Sequence, residues 1–168
     1  MRSDAIFLRG DERGSENIVD DIDRALLREL QRDADQSLLD LGETVGLSAS
    51  AVQRRIGRLK ADGVISGVHA KLDQHKLGLP VTIVTTIRLE RDGVEHTREL
   101  IDTLKARPEV QVLHSLAGQL DLLIITVVGD LADYANGVLA DLEADNNVSR
   151  LETNVSLGVF KSTHELPV

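Results

Sequence analysis

The sequence contains no cysteine. That excludes disulfide bonds and cysteine-ligated zinc, and it fits a reducing compartment. Aromatic residues make up only 2% of the chain, so a packed interior has to be built from Leu, Val and Ile. Long apolar runs are missing as well: nothing approaches the ~18 consecutive apolar residues of a membrane span. The opening "MRSDAIFLRGDERGSEN" has four apolar residues in a row, Ala5 to Leu8, too few for the ~7–15-residue core of a secretory signal. These absences predict a soluble, cytoplasmic protein.

What is present is aliphatic and acidic. Hydrophobic residues account for 42% of the 168 residues, enough for one ordinary domain or two small ones with packed cores. Asp and Glu number 28 against 19 Lys and Arg, a net charge of −9. Such a balance argues against general coating of nucleic acid, but a local basic footprint survives it because salt confines fields to ~8–10 Å. One stretch stands out on this background. Between Ser48 and Lys60 lie Arg54, Arg55, Arg58 and Lys60 and no acidic residue.

The periodicities divide the chain. Residues 1–17 are polar, alternate in charge and are predicted to be disordered; Arg2, Arg9 and Arg13 alternatively make a DNA-binding arm. From Val19 to Arg32 the residues Ile22, Leu26, Leu27 and Leu30 recur at helical spacing, with Asp20, Asp21 and Asp23 in the first turn, where carboxylates suit the helix dipole. A second helix fits Ser37 to Val45 with a stripe of Leu38, Leu41 and Val45, broken by Gly46. Ser48 is a candidate N-cap for a third helix ending near Gly63. The segment "VISGVHAKL" reads as extended and wing-like, on the strand propensity of Val64, Ile65 and Val68.

Beyond "DQHKLGLP" the rhythm changes to a period of two. "VTIVTTIRL" sets Val81, Ile83, Ile87 and Leu89 on one face. A helix is predicted over about Val94 to Ala106, followed by a strand in "VQVLHSLA". "LLIITVV" is apolar throughout, as suits a central strand buried on both faces. A second helix carries Leu131, Tyr134, Val138 and Leu142. A last strand, "VSRLETNVSLGVF", has Leu151, Val155, Leu157 and Val159 on one side. The order β-α-β-β-α-β is the ferredoxin-like unit. The expected fold is therefore α+β: a winged helix-turn-helix domain over 18–72, a linker over 73–80 and a βαββαβ domain over 81–168. Residues 18–72 hold eight basic and nine acidic side chains, whereas 80–168 hold seven and fourteen. The acidity of the chain therefore lies mostly in the second domain.

In a helix-turn-helix the third helix enters the DNA major groove. Val52, Ile56 and Leu59 form its inner stripe, and Ser50, Gln53, Arg54, Gly57 and Arg58 fall on the opposite arc at ~100° per residue. Small polar groups near the N-terminus can approach base edges. Gln can pair with adenine and Arg with guanine; Arg58 and Lys60, further along, reach phosphates more naturally. The candidate DNA contacts are Ser48, Ser50, Gln53, Arg54, Gly57, Arg58 and Lys60. Arg55 flanks the inner stripe and is expected to pair with a first-helix carboxylate such as Asp23. Gly57 costs ~1 kcal/mol against Ala in a helix, which close approach to a DNA backbone explains and simple tolerance explains equally.

These residues resemble the Lrp/AsnC family of transcription regulators, from about Val19 to Lys161. "VDDIDRALL" is similar to the family's opening pattern, and "LGETVGLSASAVQRRIGRLKADGVI" follows its helix-turn-helix pattern nearly throughout. The second half resembles the family's effector-sensing domain, termed RAM. Its Gly-x-x-Asp turn corresponds to Gly118-Gln119-Leu120-Asp121, with Leu120 where an aromatic is common. Its last-strand motif corresponds to "RLETNVSL", which keeps Arg150 and Thr153 but has Leu151 in place of Thr. The resemblance implies a homodimer paired through the RAM sheets, commonly an octamer, and an amino acid bound in clefts between dimers. The candidate effector residues are Gly118, Gln119, Leu120, Asp121 and Thr153. A glycine turn with free N–H groups beside a carboxylate can hold a zwitterion; the plainer reading of "GQLD" is a β-turn between strands. A four-stranded sheet with both helices on one face also leaves an apolar face that suits an interface.

Other functions on the same two-domain scaffold are an enzyme resembling the sirohaem decarboxylases and a sensor without DNA activity. The histidines His69, His75, His96, His114 and His164 form no metal-ligand spacing, and an enzyme of that kind has no use for a basic third helix. The expectation is a regulator, not an enzyme, with double-stranded DNA and a small-molecule effector as partners and no cofactor or metal.

Overall fold

A computed structural model describes residues 19–90 and 94–168; the leader 1–17 read as disordered lies outside them. The backbone falls into two units, one comprising the residues up to Ala70 with Thr163–Val168, the other Lys71–Ser162.

The first unit is three helices, α1 (Asp21–Arg32), α2 (Leu38–Val45) and α3 (Ala49–Ala61). Each begins where a short polar side chain takes an orphan amide. Asp20 accepts from the Asp23 N–H while the Asp23 carboxylate accepts from the Asp20 N–H, a reciprocal capping box. Ser37 caps α2 and Ser48 caps α3. Gly46 ends α2 in the left-handed conformation at φ 71°, which glycine enters without steric cost. The interior is Leu26, Leu41 and Val52, with Leu30, Leu38, Val45, Leu47 and Ile56 packed around them. Residues 163–168 return to α1, where the Gln31 amide accepts from Leu166 N–H at 2.6 Å and donates to its carbonyl at 3.2 Å.

The α2–α3 turn depends on a glycine that hydrophobic periodicity did not single out. Gly42 is buried, and its carbonyl accepts from the Leu47 N–H at 2.8 Å. A Cβ at Gly42 would stand 2.4 Å from the Leu47 carbonyl oxygen, and this is backbone that cannot step aside. The expected wing is absent. Residues 62–80 carry no strand, because the β propensity of Val64, Ile65 and Val68 has no partner edge among the described residues to satisfy its amides. The first domain is a helix-turn-helix followed by coil.

The second unit is a four-stranded antiparallel sheet in the order β2-β3-β1-β4, from β1 (Val81–Leu89), β2 (Val110–Ser115), β3 (Leu122–Val128) and β4 (Val148–Val155). Helix α4 spans Val94–Ala106; helix α5 is made of Leu131–Tyr134, a π-helical turn Ala135–Leu139 and Ala140–Ala144. Ile83, Ile87, Leu122, Ile124 and Val128 pack under Leu100, Ile101, Leu104, Tyr134, Val138 and Leu142. Two expectations are corrected. β3 is central, yet only its even-numbered residues are buried; both helices lie on one face, so Leu123, Ile125 and Val127 stay partly exposed with Val84 and Val112 opposite Ile125. The last strand stops at Val155 instead of running on through Val159. Its ladder ends with Ser156 N–H donating to Thr82, close to where β1 itself begins, and Leu157 and Phe160 are fully exposed.

Gly42→Ala is expected to destabilise the helix-turn-helix by about 1–3 kcal/mol through overpacking, read as a lowered urea midpoint. A midpoint equal to wild type would show that the α2–α3 turn tolerates a side chain.

Candidate nucleic-acid interface and ligand site

The buried stripe of α3 is Val52 and Leu59, with Ile56 partly buried. Ser48, Ser50, Gln53, Arg54, Gly57, Arg58 and Lys60 are all exposed. At the N-terminus the Ser48 hydroxyl accepts from Ala51 N–H at 3.3 Å and lies 3.1 Å from the Ser50 hydroxyl. Gly57 faces open space, with nothing within 4 Å of an added Cβ; packing within the chain does not require a glycine there.

The four basic residues of α3 divide into two classes. Arg55 is partly buried, and one guanidinium nitrogen donates to Asp20 at 2.7 Å and to Asp23 at 2.8 Å, the pairing with α1 expected from its position. Arg58, expected on the outward arc toward phosphates, also donates to Asp23, on the other carboxylate oxygen. It remains 46% exposed. Arg54 and Lys60 form no ion pair among the described residues. Arg54, Arg55 and Arg58 border an open recess of about 280 Å³. The hydrogen bonds shift the ionisations as they must. Asp20 is held below the ordinary value of 3.8, first by the Asp23 backbone N–H and then by Arg55. Arg55 is raised by Asp20 and then Asp23.

In the second unit the turn Gly118–Asp121 joins β2 to β3. Gly118, Gln119 and Ala117 are exposed, and Leu120 and Asp121 partly so. The turn is not merely a connector. Asp121 N–H donates to Ile87 O at 2.9 Å, and the Asp121 carboxylate accepts from Leu89 N–H at 2.8 Å. Asp121 thus closes the end of β1 with one oxygen, and the other has no hydrogen-bond partner among the described residues. An added Cβ at Gly118 meets nothing within 4 Å. Thr153 is not beside this turn. It lies on β4 and pairs with Thr85 of β1, on the other side of β1 from β3, two strand spacings or roughly 9–10 Å across the sheet and displaced along it besides. Its hydroxyl is 3.0 Å from Tyr134 Oη, which is 2.8 Å from the buried Thr85 hydroxyl.

Comparison with known proteins decides the identity. Residues 19–60 match the AsnC-type helix-turn-helix domain and residues 82–166 the Lrp/AsnC ligand binding domain. The chain belongs to the Lrp/AsnC family. Within that family it is 32% identical to the leucine-responsive regulatory protein of Haemophilus influenzae, over 92% of this chain and 93% of that protein. It is 30% identical to the transcriptional regulator AzlB of Bacillus subtilis, over 90% of this chain and 96% of that one. A crystal structure of an AsnC family transcriptional regulator from Agrobacterium tumefaciens superposes with a TM-score of 0.83 at 31% identity, covering 89% of this chain and 97% of that one. As an Lrp/AsnC protein the chain is a DNA-binding transcription regulator with a ligand-binding domain, and α3 is the third helix of its helix-turn-helix.

Three contributors to these sites escaped the periodicity reading: the second arginine on Asp23, the strand-closing role of Asp121, and the Thr85–Tyr134–Thr153 hydroxyl chain. Each is a contact between elements distant in sequence. The only advance signal was a carboxylate, Asp23, on the apolar side of α1 one turn before Leu26 and Leu27.

Because the folded-state pKa of Asp20 is depressed, its contribution to stability is complete above the ordinary carboxylate value and is lost as pH falls through the lower folded value. Asp20→Asn keeps a capping oxygen and removes the charge. The stability gap between wild type and Asp20→Asn is therefore expected to be larger at about pH 7 than at about pH 3; urea midpoints at both measure it, and a gap that widens in acid would contradict the sign.

Proposed function

We propose that the chain reads operator DNA through the exposed arc of α3, with Ser48, Ser50, Gln53, Arg54 and Gly57 toward the bases and Lys60 toward a phosphate, and Arg58 at the boundary between them. The observation that carries this reading is that all seven residues are exposed together while Val52 and Leu59 are fully buried. Residues 18–72 then form the DNA-binding domain, 73–80 the linker, and 81–168 the effector-binding and oligomerisation domain. The protein acts in the cytoplasm, without catalysis.

The effector is a small molecule, an amino acid, held at Gly118–Gln119–Leu120–Asp121. Support comes from the open space at Gly118 and from an Asp121 carboxylate with one oxygen unbonded among the described residues, which suits an ammonium group. A relative carrying the name leucine-responsive points to the same class of ligand. Thr153, two strands away and bonded to Tyr134, joins such a cleft from another copy of the chain. That copy is supplied by assembly: the uncovered sheet face carries Val84, Val112, Leu123, Ile125 and Val127, a contiguous apolar patch fit for a homodimer, which the family likeness extends to an octamer. Helix-turn-helix pairs in a dimer address half-sites about 34–36 Å apart.

Arg54→Ala is expected to weaken binding to a duplex selected by the wild type by about 1–3 kcal/mol with no change in unfolding. Equal affinity of both proteins for that duplex would remove Arg54 from the interface, and a wild type that selects no sequence would remove the α3 reading. For the effector, Asp121→Asn is the informative variant, since it keeps an acceptor for Leu89 N–H while removing the charge. Calorimetry against the twenty amino acids is expected to find one or more that bind wild type and not Asp121→Asn. Binding equal in the two proteins would place the site elsewhere.

A further inference from the structure

We propose that Asp23 is a positioning residue for DNA recognition: it holds the Arg58 guanidinium in place on α3 before DNA arrives, so that Arg58 discriminates between bases. The proposal rests on the reading of α3 as the recognition helix and adds to it a residue of α1 that touches no DNA.

Asp23 is fully buried on α1. A buried carboxylate needs a partner, and Arg55 already supplies one: it is only partly exposed, bonds Asp23 at 2.8 Å and Asp20 at 2.7 Å, and thereby ties α3 to α1. Neutralising Asp23 therefore does not call for a second arginine. Yet Arg58 lies on its other oxygen, using one terminal nitrogen of a side chain that is still 46% exposed. The rest of the guanidinium has no partner among the described residues and lies four residues on from Arg54, on the same side of α3. A planar fork anchored at one corner presents its remaining N–H groups in a set direction. Because the rotamer is already fixed in the free protein, ordering it costs nothing further when DNA binds. Residues whose orientation is locked by a supporting contact give the sharper site. The carboxylate also lies between two guanidinium groups and relieves their repulsion, which keeps Arg55 and Arg58 together at the recess they share with Arg54.

The charge of Asp23 and its position make opposite predictions, and this separates them. As a negative charge beneath the interface, Asp23 opposes DNA and competes for Arg58. If that were its whole effect, Asp23→Asn would tighten binding to every sequence and steepen the salt dependence. If Asp23 positions Arg58, the same substitution weakens binding to the preferred sequence even though the protein becomes more positive. A purely architectural role would change stability and leave the ratio between sequences alone.

The test uses the full chain and a duplex selected in vitro by the wild type, with its single-base-pair variants and a mixed-sequence duplex. Affinities are measured for wild type, Asp23→Asn, Arg58→Ala and the double variant, at conditions where unfolding shows each to be folded. Asp23→Asn is expected to lose about tenfold on the selected duplex, to lose nothing on mixed-sequence DNA, and to have no further effect in the Arg58→Ala background. Equal change on both duplexes, tighter binding to the selected one, or an undiminished effect without Arg58 overturns the proposal. If Asp23→Asn does not fold, Arg58→Lys decides: it keeps the charge but loses the fork, and is expected to lower the preference for the selected sequence as far as Arg58→Ala does. A wild-type preference in Arg58→Lys overturns the proposal. A wild type that selects no sequence is a different result, and it strikes the α3 reading itself.

Discussion

A single buried carboxylate governs the geometry of the DNA-binding unit. Asp23 stands at the start of α1, completes its capping box and receives Arg55 and Arg58 from α3 on separate oxygens. The cost of desolvating it is met by those two guanidinium groups and by the Asp20 amide. Loss of both arginines would leave that charge buried without a counterpart, which ordinarily costs about 3–5 kcal/mol. The apolar contacts of Leu26, Leu41 and Val52 bring the helices together, but they are short-ranged and tolerate rotation. The ion cluster sets the rotation of α3 about its own axis, and hence which side chains look outward. Gly42 makes the complementary contribution by letting the backbone of Leu47 approach closely enough for the turn.

The basic helix of an acidic protein becomes intelligible from this cluster. Four cations lie along α3, but they are not four equivalent phosphate contacts. Two are bonded to α1 carboxylates, so the charge offered to DNA is smaller than the sequence suggests and is concentrated on Arg54, Lys60 and the uncommitted side of Arg58. On the proposed reading of α3, a modest electrostatic contribution leaves recognition to directed hydrogen bonds from Gln53, Arg54 and Arg58 to base edges.

In the second unit the dominant constraint is that α4 and α5 cover the same face of the sheet. Thr85 and Thr126 are drawn into that covered layer by strand alternation; Thr85 is satisfied through Tyr134, while the buried Thr126 hydroxyl has no partner among the described residues. The opposite face keeps its aliphatic side chains half in water. Asp121 closes the edge of the layer by binding Leu89 N–H, which joins the proposed ligand turn mechanically to the strand at the middle of the sheet. In the proposed site, a ligand drawing on the other oxygen of Asp121 would act on the same residue that terminates β1.

Local periodicity carried most of the architecture. The helix caps at Ser37 and Ser48, the left-handed Gly46, the apolar stripes of α1 to α3 and the alternation of β1 were all legible, because each depends on residues within a turn or a strand of one another. The family motifs were legible for the same reason: they are runs of contiguous sequence. What failed depended on partners. "VISGVHAKL" has strand propensity but no edge to pair with, and the final strand stops where β1 no longer lies opposite. "LLIITVV" is apolar on both sides, yet which side is covered is decided by where the helices cross. Arg58 could be placed on the outward arc by its 100° spacing, but its bond to Asp23, thirty-five residues earlier, exists only after α1 and α3 have packed. Thr153 shares a family motif with the ligand turn yet stands two strands from it, since strand order is a property of the assembled sheet. The sequence by itself determined the elements, their caps and their inward faces, which are short-range consequences of side-chain shape and solvation. The tertiary structure decided which polar groups meet, because a charged or hydrogen-bonding side chain takes its role from whichever distant residue folding brings within about 3 Å.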